Sequence, residues 1–115
     1  MYRLELIDIK ENLAKKAKNF DASKISKQVR TPLKLLSLQY LDPLMREIYL
    51  QEIRLKSPYL YQFLIEVIRY LDNLDLNREI KKELFREVCN IIHNHIKAKL
   101  KEEFEDLKQK KYNSF

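Results

Sequence analysis

Residues 31–58 read TPLKLLSLQYLDPLMREIYLQEIRLKSP, and three times in this stretch a capping residue stands directly before a proline: Thr31-Pro32, Asp42-Pro43 and Ser57-Pro58. In each pair a side-chain oxygen can accept from the orphan amides of a helix start, and the proline needs no amide at the first helical position. The stretch therefore reads as short helices laid end to end. Because the residue before a proline is steered out of the α region, each junction is expected to bend the chain.

The chain around this stretch contains no glycine. Turns that need a positive φ must then use Asn or Asp, and tight hairpins of the type I′ class become improbable, which points to an all-α fold. Leu6, Ile9, Leu13, Ala17 and Phe20 recur at helical spacing and predict a first helix over 4–19. The alternation of Tyr2, Leu4 and Leu6 with Arg3 and Glu5 would also suit a short strand. Asp21 can cap a short helix over 22–30 that offers Ile25 and Val29 to a core. The cap-proline pairs open helices over 32–41, 43–56 and 58–73. In the last of these, Leu60, Phe63, Leu64, Val67, Leu71 and Leu74 form one apolar stripe, and Tyr61, Ile65 and Ile68 another. A helix apolar on more than one side belongs in the middle of a bundle.

Asn77 caps the last helix, predicted over 78–110, with neither proline nor glycine to stop it. At 1.5 Å per residue it would span about 50 Å, longer than a domain of this size is wide. Its first half carries a broad face of Ile80, Leu84, Val88, Ile91 and His95. Further on, Ile96, Leu100, Phe104 and Leu107 form a thinner seam suited to a partner helix, from this chain or from a second copy. The expected architecture is one domain over 1–115, a compact all-α bundle of about five helices with a long C-terminal helix.

A chain of 115 residues can bury a core without metal or disulfide staples. The single cysteine, Cys89, has no intrachain partner, which fits a reducing, cytoplasmic setting. The first 18 residues are charged throughout, unlike a secretory signal, and the apolar run from Tyr59 to Leu71 is interrupted by Gln62, Glu66 and Arg69 and falls short of a membrane span. No membrane contact is expected.

The formal charge of +6 is concentrated. Lys10, Lys15, Lys16, Lys18, Lys24, Lys27, Arg30 and Lys34 face only Glu11 and Asp21, so residues 10–34 carry the whole surplus. A localised basic surface is the footprint expected for the DNA or RNA backbone. The same lysines also read as a solvated helix face or as a contact for an acidic protein. Only Phe20 is aromatic among them, so no stacking platform is indicated.

Chemistry-bearing motifs are sparse. His93 and His95 lie two apart and point away from each other on a helix, Cys89 and His93 are two ligands without a second pair, and no metal or cofactor is expected. The absence of glycine excludes P-loop and dinucleotide fingerprints. Arg86 and His93 form an Arg-x6-His pair on the stripe Lys82, Arg86, Asn90, His93, Lys97. This pair resembles the Arg-x4-6-His signature of the all-helical HEPN ribonucleases. The resemblance implies His93 as acid or base and Arg86 as stabiliser of phosphorane charge. The same residues also read as a polar helix face with a one-turn Arg86 to Asn90 contact. The expected function is non-enzymatic: a small accessory subunit contacting nucleic acid, or a nucleic-acid-processing complex, through residues 10–34. A protein-interaction module or homodimer using the C-terminal seam is the alternative.

Overall fold

The computed structural model describes residues 2–25 and 27–113, with side chains for 5–25 and 28–109. Five α-helices follow one another: α1 (Tyr2–Lys18), α2 (Arg30–Leu38), α3 (Pro43–Lys56), α4 (Pro58–Asp72) and α5 (Arg78–Asn113). Among the described residues there is no strand, and the start of the chain is helical, which removes the strand alternative for its first residues. No described residue has a positive φ. The described turns of this glycine-free chain close in the right-handed and extended regions, where a Cβ costs nothing.

Two of the three cap-proline pairs do what their chemistry dictates. The Asp42 carboxylate accepts from the amides of Leu44 at 3.1 Å and Met45 at 3.2 Å, with extended backbone at the cap itself. Ser57 serves two helices at once. Its N–H donates to the Ile53 carbonyl at 2.7 Å to close α3, and its Oγ accepts from the Leu60 amide at 3.4 Å to open α4. With φ −154° and ψ 89° it turns the chain at a single buried residue. Asn77 likewise caps α5, accepting from Glu79 N–H at 2.8 Å.

Thr31-Pro32 departs from the expectation. The helix predicted over 22–30 is replaced by two 3-10 turns, Ala22–Lys24 and Lys27–Val29, and the second runs directly into α2 at Arg30. Val29, with φ −80° and ψ −9°, stands at the helix start without a side-chain cap, so the chain does not bend at Thr31. Pro32 falls at the third helical position, where the amide has no intrahelical acceptor in any case. Early entry buries Val29, Pro32, Leu33 and Leu36 completely, and that burial outweighs the local preference of the residue before proline. α2 also ends at Leu38, short of the expected 41.

The core joins Leu13, Ala17 and Phe20 of the amino-terminal region with Ile53, Leu60, Leu64 and Leu71 from α3 and α4 and with Leu84, Phe85, Val88, Ile92 and Ile96 from α5. Its hub is α5, which packs on α1, α2 and α4, whereas α4, the expected centre, packs chiefly on α3 and α5. The correction has a geometric cause: a 36-residue helix offers about 54 Å of surface, enough to receive several shorter helices. α1 runs in the same direction as α5. Lys10 meets Glu87 at 3.2 Å, and further along Lys99 Nζ donates to the carbonyls of Ala22 and Ser23 at 3.3 and 3.2 Å. α2 runs the opposite way, with Lys34 near His93 and Tyr40 stacked on Phe85, 4.8 Å between ring centres.

Past Leu100 the last helix leaves the body of the molecule. Every described side chain over 101–109 is exposed, and the long axis of the molecule is 62 Å against 32 and 19 Å for the others. The radius of gyration, 16.4 Å, exceeds the roughly 13 Å of a compact chain of this length because of that projection. No described helix is long and apolar enough to cross a membrane.

Candidate anion-binding cleft

The fold divides the basic residues of 10–34 among separate places. Lys10 is engaged by Glu87 in a groove whose other charged residues, Glu79 and Glu83, are acidic. Lys15 and Lys16 line the groove between α1 and α4 with Asn12, Asn19 and Tyr70, and the Lys16 ammonium lies 5.5 Å from the centre of the Tyr70 ring. Lys24 sits over Tyr59, 5.0 Å from its ring centre, close to the stack of Tyr59 on Phe20. Lys18 is exposed at the end of α1. The Lys27 side chain lies outside the described residues. Among the described cations of this stretch, Lys10, the pair Lys15 and Lys16, and the pair Arg30 and Lys34 therefore line three different grooves instead of a single shared one.

Arg30 and Lys34, one turn apart on α2, are different. They line an open groove of about 720 Å³ with Gln28, Thr31 and His93. A narrower pocket of about 380 Å³ adjoins it, sharing Lys34 and His93 and adding Ser37, Cys89, Asn90, Asn94 and Lys97. Lys97 reaches this place from α5, so cations of two helices converge across one cleft. No carboxylate lines either cavity among the described residues, and neither Lys34 nor Lys97 has an ion pair there.

Burial, followed by the positive charges of Lys97, Arg30 and Lys34, holds His93 below the ordinary imidazole value. Its Nδ1 is buried without a hydrogen-bond partner. A proton placed there would find no acceptor, which favours the tautomer that carries its proton on Nε2. Cys89 forms part of the floor. Complete burial pushes its thiol far above the usual value, so it adds no negative charge and is not an activated nucleophile.

The Arg86 and His93 pair is not brought together within one chain. Arg86 donates to Glu83 at 2.9 Å on the exposed side of α5 and does not line the cleft that contains His93. His95 lies at the core edge, half-buried, as its stripe predicts. Among the described residues no group of three or more His, Cys, Asp or Glu side chains is placed to hold a metal ion. The seam predicted for a partner helix is split: Ile96 is buried in its own core and Leu100 packs at the rim, while Phe104 and Leu107 are exposed at 64% and 66%.

Arg30, Lys34 and His93 stand out in the sequence, and Asn94 stands in the cluster His93, Asn94 and His95, but Lys97 carries no binding signal there and Gln28 none at all. Lys97 does share the polar stripe of Asn90 and His93. What that stripe faces depends on how α2 lies on α5, which spacing along one helix does not encode. No family model matches the chain, and the comparisons with curated proteins and solved structures return no match.

Proposed function

We propose that this protein is a non-enzymatic binding subunit that contacts the phosphate backbone of a nucleic acid through the cleft between α2 and α5. One observation carries the reading: Lys34, from the stretch that holds the whole net charge, and Lys97 of α5 face one cleft that Arg30 also lines, and among the described residues no carboxylate lines it. Each phosphate neutralised by such a cation releases condensed counterions, so binding strengthens as salt falls. The side-chain amides of Asn90 and Asn94 add neutral donors of the kind that position a backbone without reading sequence.

The test is fluorescence anisotropy of labelled single- and double-stranded oligonucleotides across a salt series. Three engaged cations give a log–log salt slope of about −2.7 on duplex DNA. Replacing both Lys34 and Lys97 with Gln is expected to flatten the slope by about two units. An unchanged slope in that double variant removes the reading.

A second reading, self-association through the overhang, is favoured by Phe104 and Leu107, exposed apolar residues on a helix that has outrun its own chain's cover. Sedimentation at high protein concentration tests it. A monomer unaffected by Phe104→Glu excludes a homodimer built on this seam.

A further inference from the structure

The cleft has two parts with different shapes, and the difference bears on which portion of a nucleic acid each would hold. The groove beside Arg30 is broad, whereas the adjoining pocket is about half its volume and is floored by buried Leu33, Ser37 and Cys89. A strand can lie along the first. The second is about half that size and is backed by the packed core, so it suits a compact charged group better than a length of strand.

We infer that the narrow pocket, between Lys34, Lys97 and Nε2 of His93, receives a phosphate monoester, the terminal phosphate of a nucleic-acid strand whose following phosphodiesters lie along the groove beside Arg30. This rests on the nucleic-acid reading above and adds the recognised group to it. Charge selects the monoester. It carries about −1.5 to −2 at neutral pH, against −1 for an internal diester, and so matches the two lysines that have no carboxylate partner among the described residues. Hydrogen bonding points the same way. A monoester presents three terminal oxygens, and the pocket offers the His93 Nε2–H and the side-chain amides of Asn90 and Asn94 besides the lysines. Ser37 is not counted, since its Oγ–H donates to the Lys34 carbonyl at 2.8 Å. The charged and titratable groups around the imidazole are Arg30 and Lys34 from α2 and Cys89 and Lys97 from α5, with Arg86 drawn aside by Glu83. None of them places a negative charge in the pocket.

The experiment compares one single-stranded DNA sequence carrying a 5′-phosphate, a 3′-phosphate or hydroxyls at both ends, with binding read by anisotropy. Inorganic phosphate is titrated separately while the ring resonances of His93 and His95 are followed by NMR. The expected result is about tenfold tighter binding of one phosphorylated form, corresponding to one additional charged contact. That preference disappears in Lys97→Gln and in His93→Gln, and phosphate moves the His93 resonances but not those of His95. Both substituted positions reach solvent, and circular dichroism checks that the variants keep their helices. Equal affinity for the three forms overturns the inference. If binding then still weakens in the Lys34→Gln, Lys97→Gln double variant, the backbone reading survives and only the end preference fails. If no oligonucleotide binds while inorganic phosphate still moves His93, the pocket is a free-phosphate site and the nucleic-acid inference falls.

Discussion

Two grooves flank α5, similar in setting and opposite in charge. On the side of α1, Lys10 pairs with Glu87 in a groove that Glu79 and Glu83 also line, and a cation is neutralised there. On the side of α2, Arg30, Lys34 and Lys97 line the cleft with His93, and no acidic residue lines it among the described residues. Both belong to the same helix and both receive cations from the one basic stretch. The contrast teaches that a run of positive charge in sequence is not a surface: the tertiary fold cancels one part of it and concentrates another.

The largest expected effect removes what both grooves stand on. Phe85 is fully buried on α5 and stacked on Tyr40, and Phe85→Ala is expected to lower unfolding free energy by about 3–5 kcal/mol in urea denaturation. A loss below about 1 kcal/mol would mean that α5 is not the hub. Next comes the charge contrast itself. The Lys34→Glu, Lys97→Glu double variant should weaken polyanion binding at low salt by on the order of 10- to 100-fold. Lys10→Gln, on the neutralised side, should change it less than about threefold. Equal losses on the two sides would erase the distinction between the grooves.

The third effect depends on pH. Since His93 is held below its unfolded value, its contribution to stability is complete above the unfolded imidazole pKa near 6.5 and is lost as pH falls through the lower folded value. Thermal midpoints measured from pH 7.5 to 4.5 should therefore fall more steeply for the wild type than for His93→Gln. Parallel curves would show that neither burial nor the cations of the cleft hold the imidazole below its ordinary value. In the opposite groove, Lys10 and Glu87 are both about half exposed, and such a pair contributes little. Glu87→Gln is expected to cost no more than about 1 kcal/mol. The smallest change is Phe104→Ala, within about 0.5 kcal/mol, because the side chain makes no contact with the core.

The legible part of the structure follows rules that act within one or two helical turns. Asp42, Ser57 and Asn77 cap where their side chains and neighbours say they should, and the helices over 43–56 and 58–72 begin at their prolines. Thr31-Pro32 obeyed the same rules on paper but lost to packing, since starting the helix at Arg30 buries Val29 and Pro32. The apolar stripe of α4 was visible, yet its rank in the bundle was not. Centrality depends on how many neighbours a helix has length to receive, and α5 has more.

The candidate site divides along the same line. The sequence by itself determined an all-α chain, the helix starts after Asp42, Ser57 and Asn77, and the confinement of net charge to residues 10–34, because caps, missing glycines and charge counts are local properties. Only the tertiary structure decided that Lys10 would be neutralised by Glu87, that Ile96 would be buried while Phe104 was not, and that Lys97 would join Arg30 and Lys34 around His93. Those outcomes depend on the register and direction with which α1 and α2 lie on α5. That register is set by the sum of many buried contacts across the core, and no single stretch of the chain contains it.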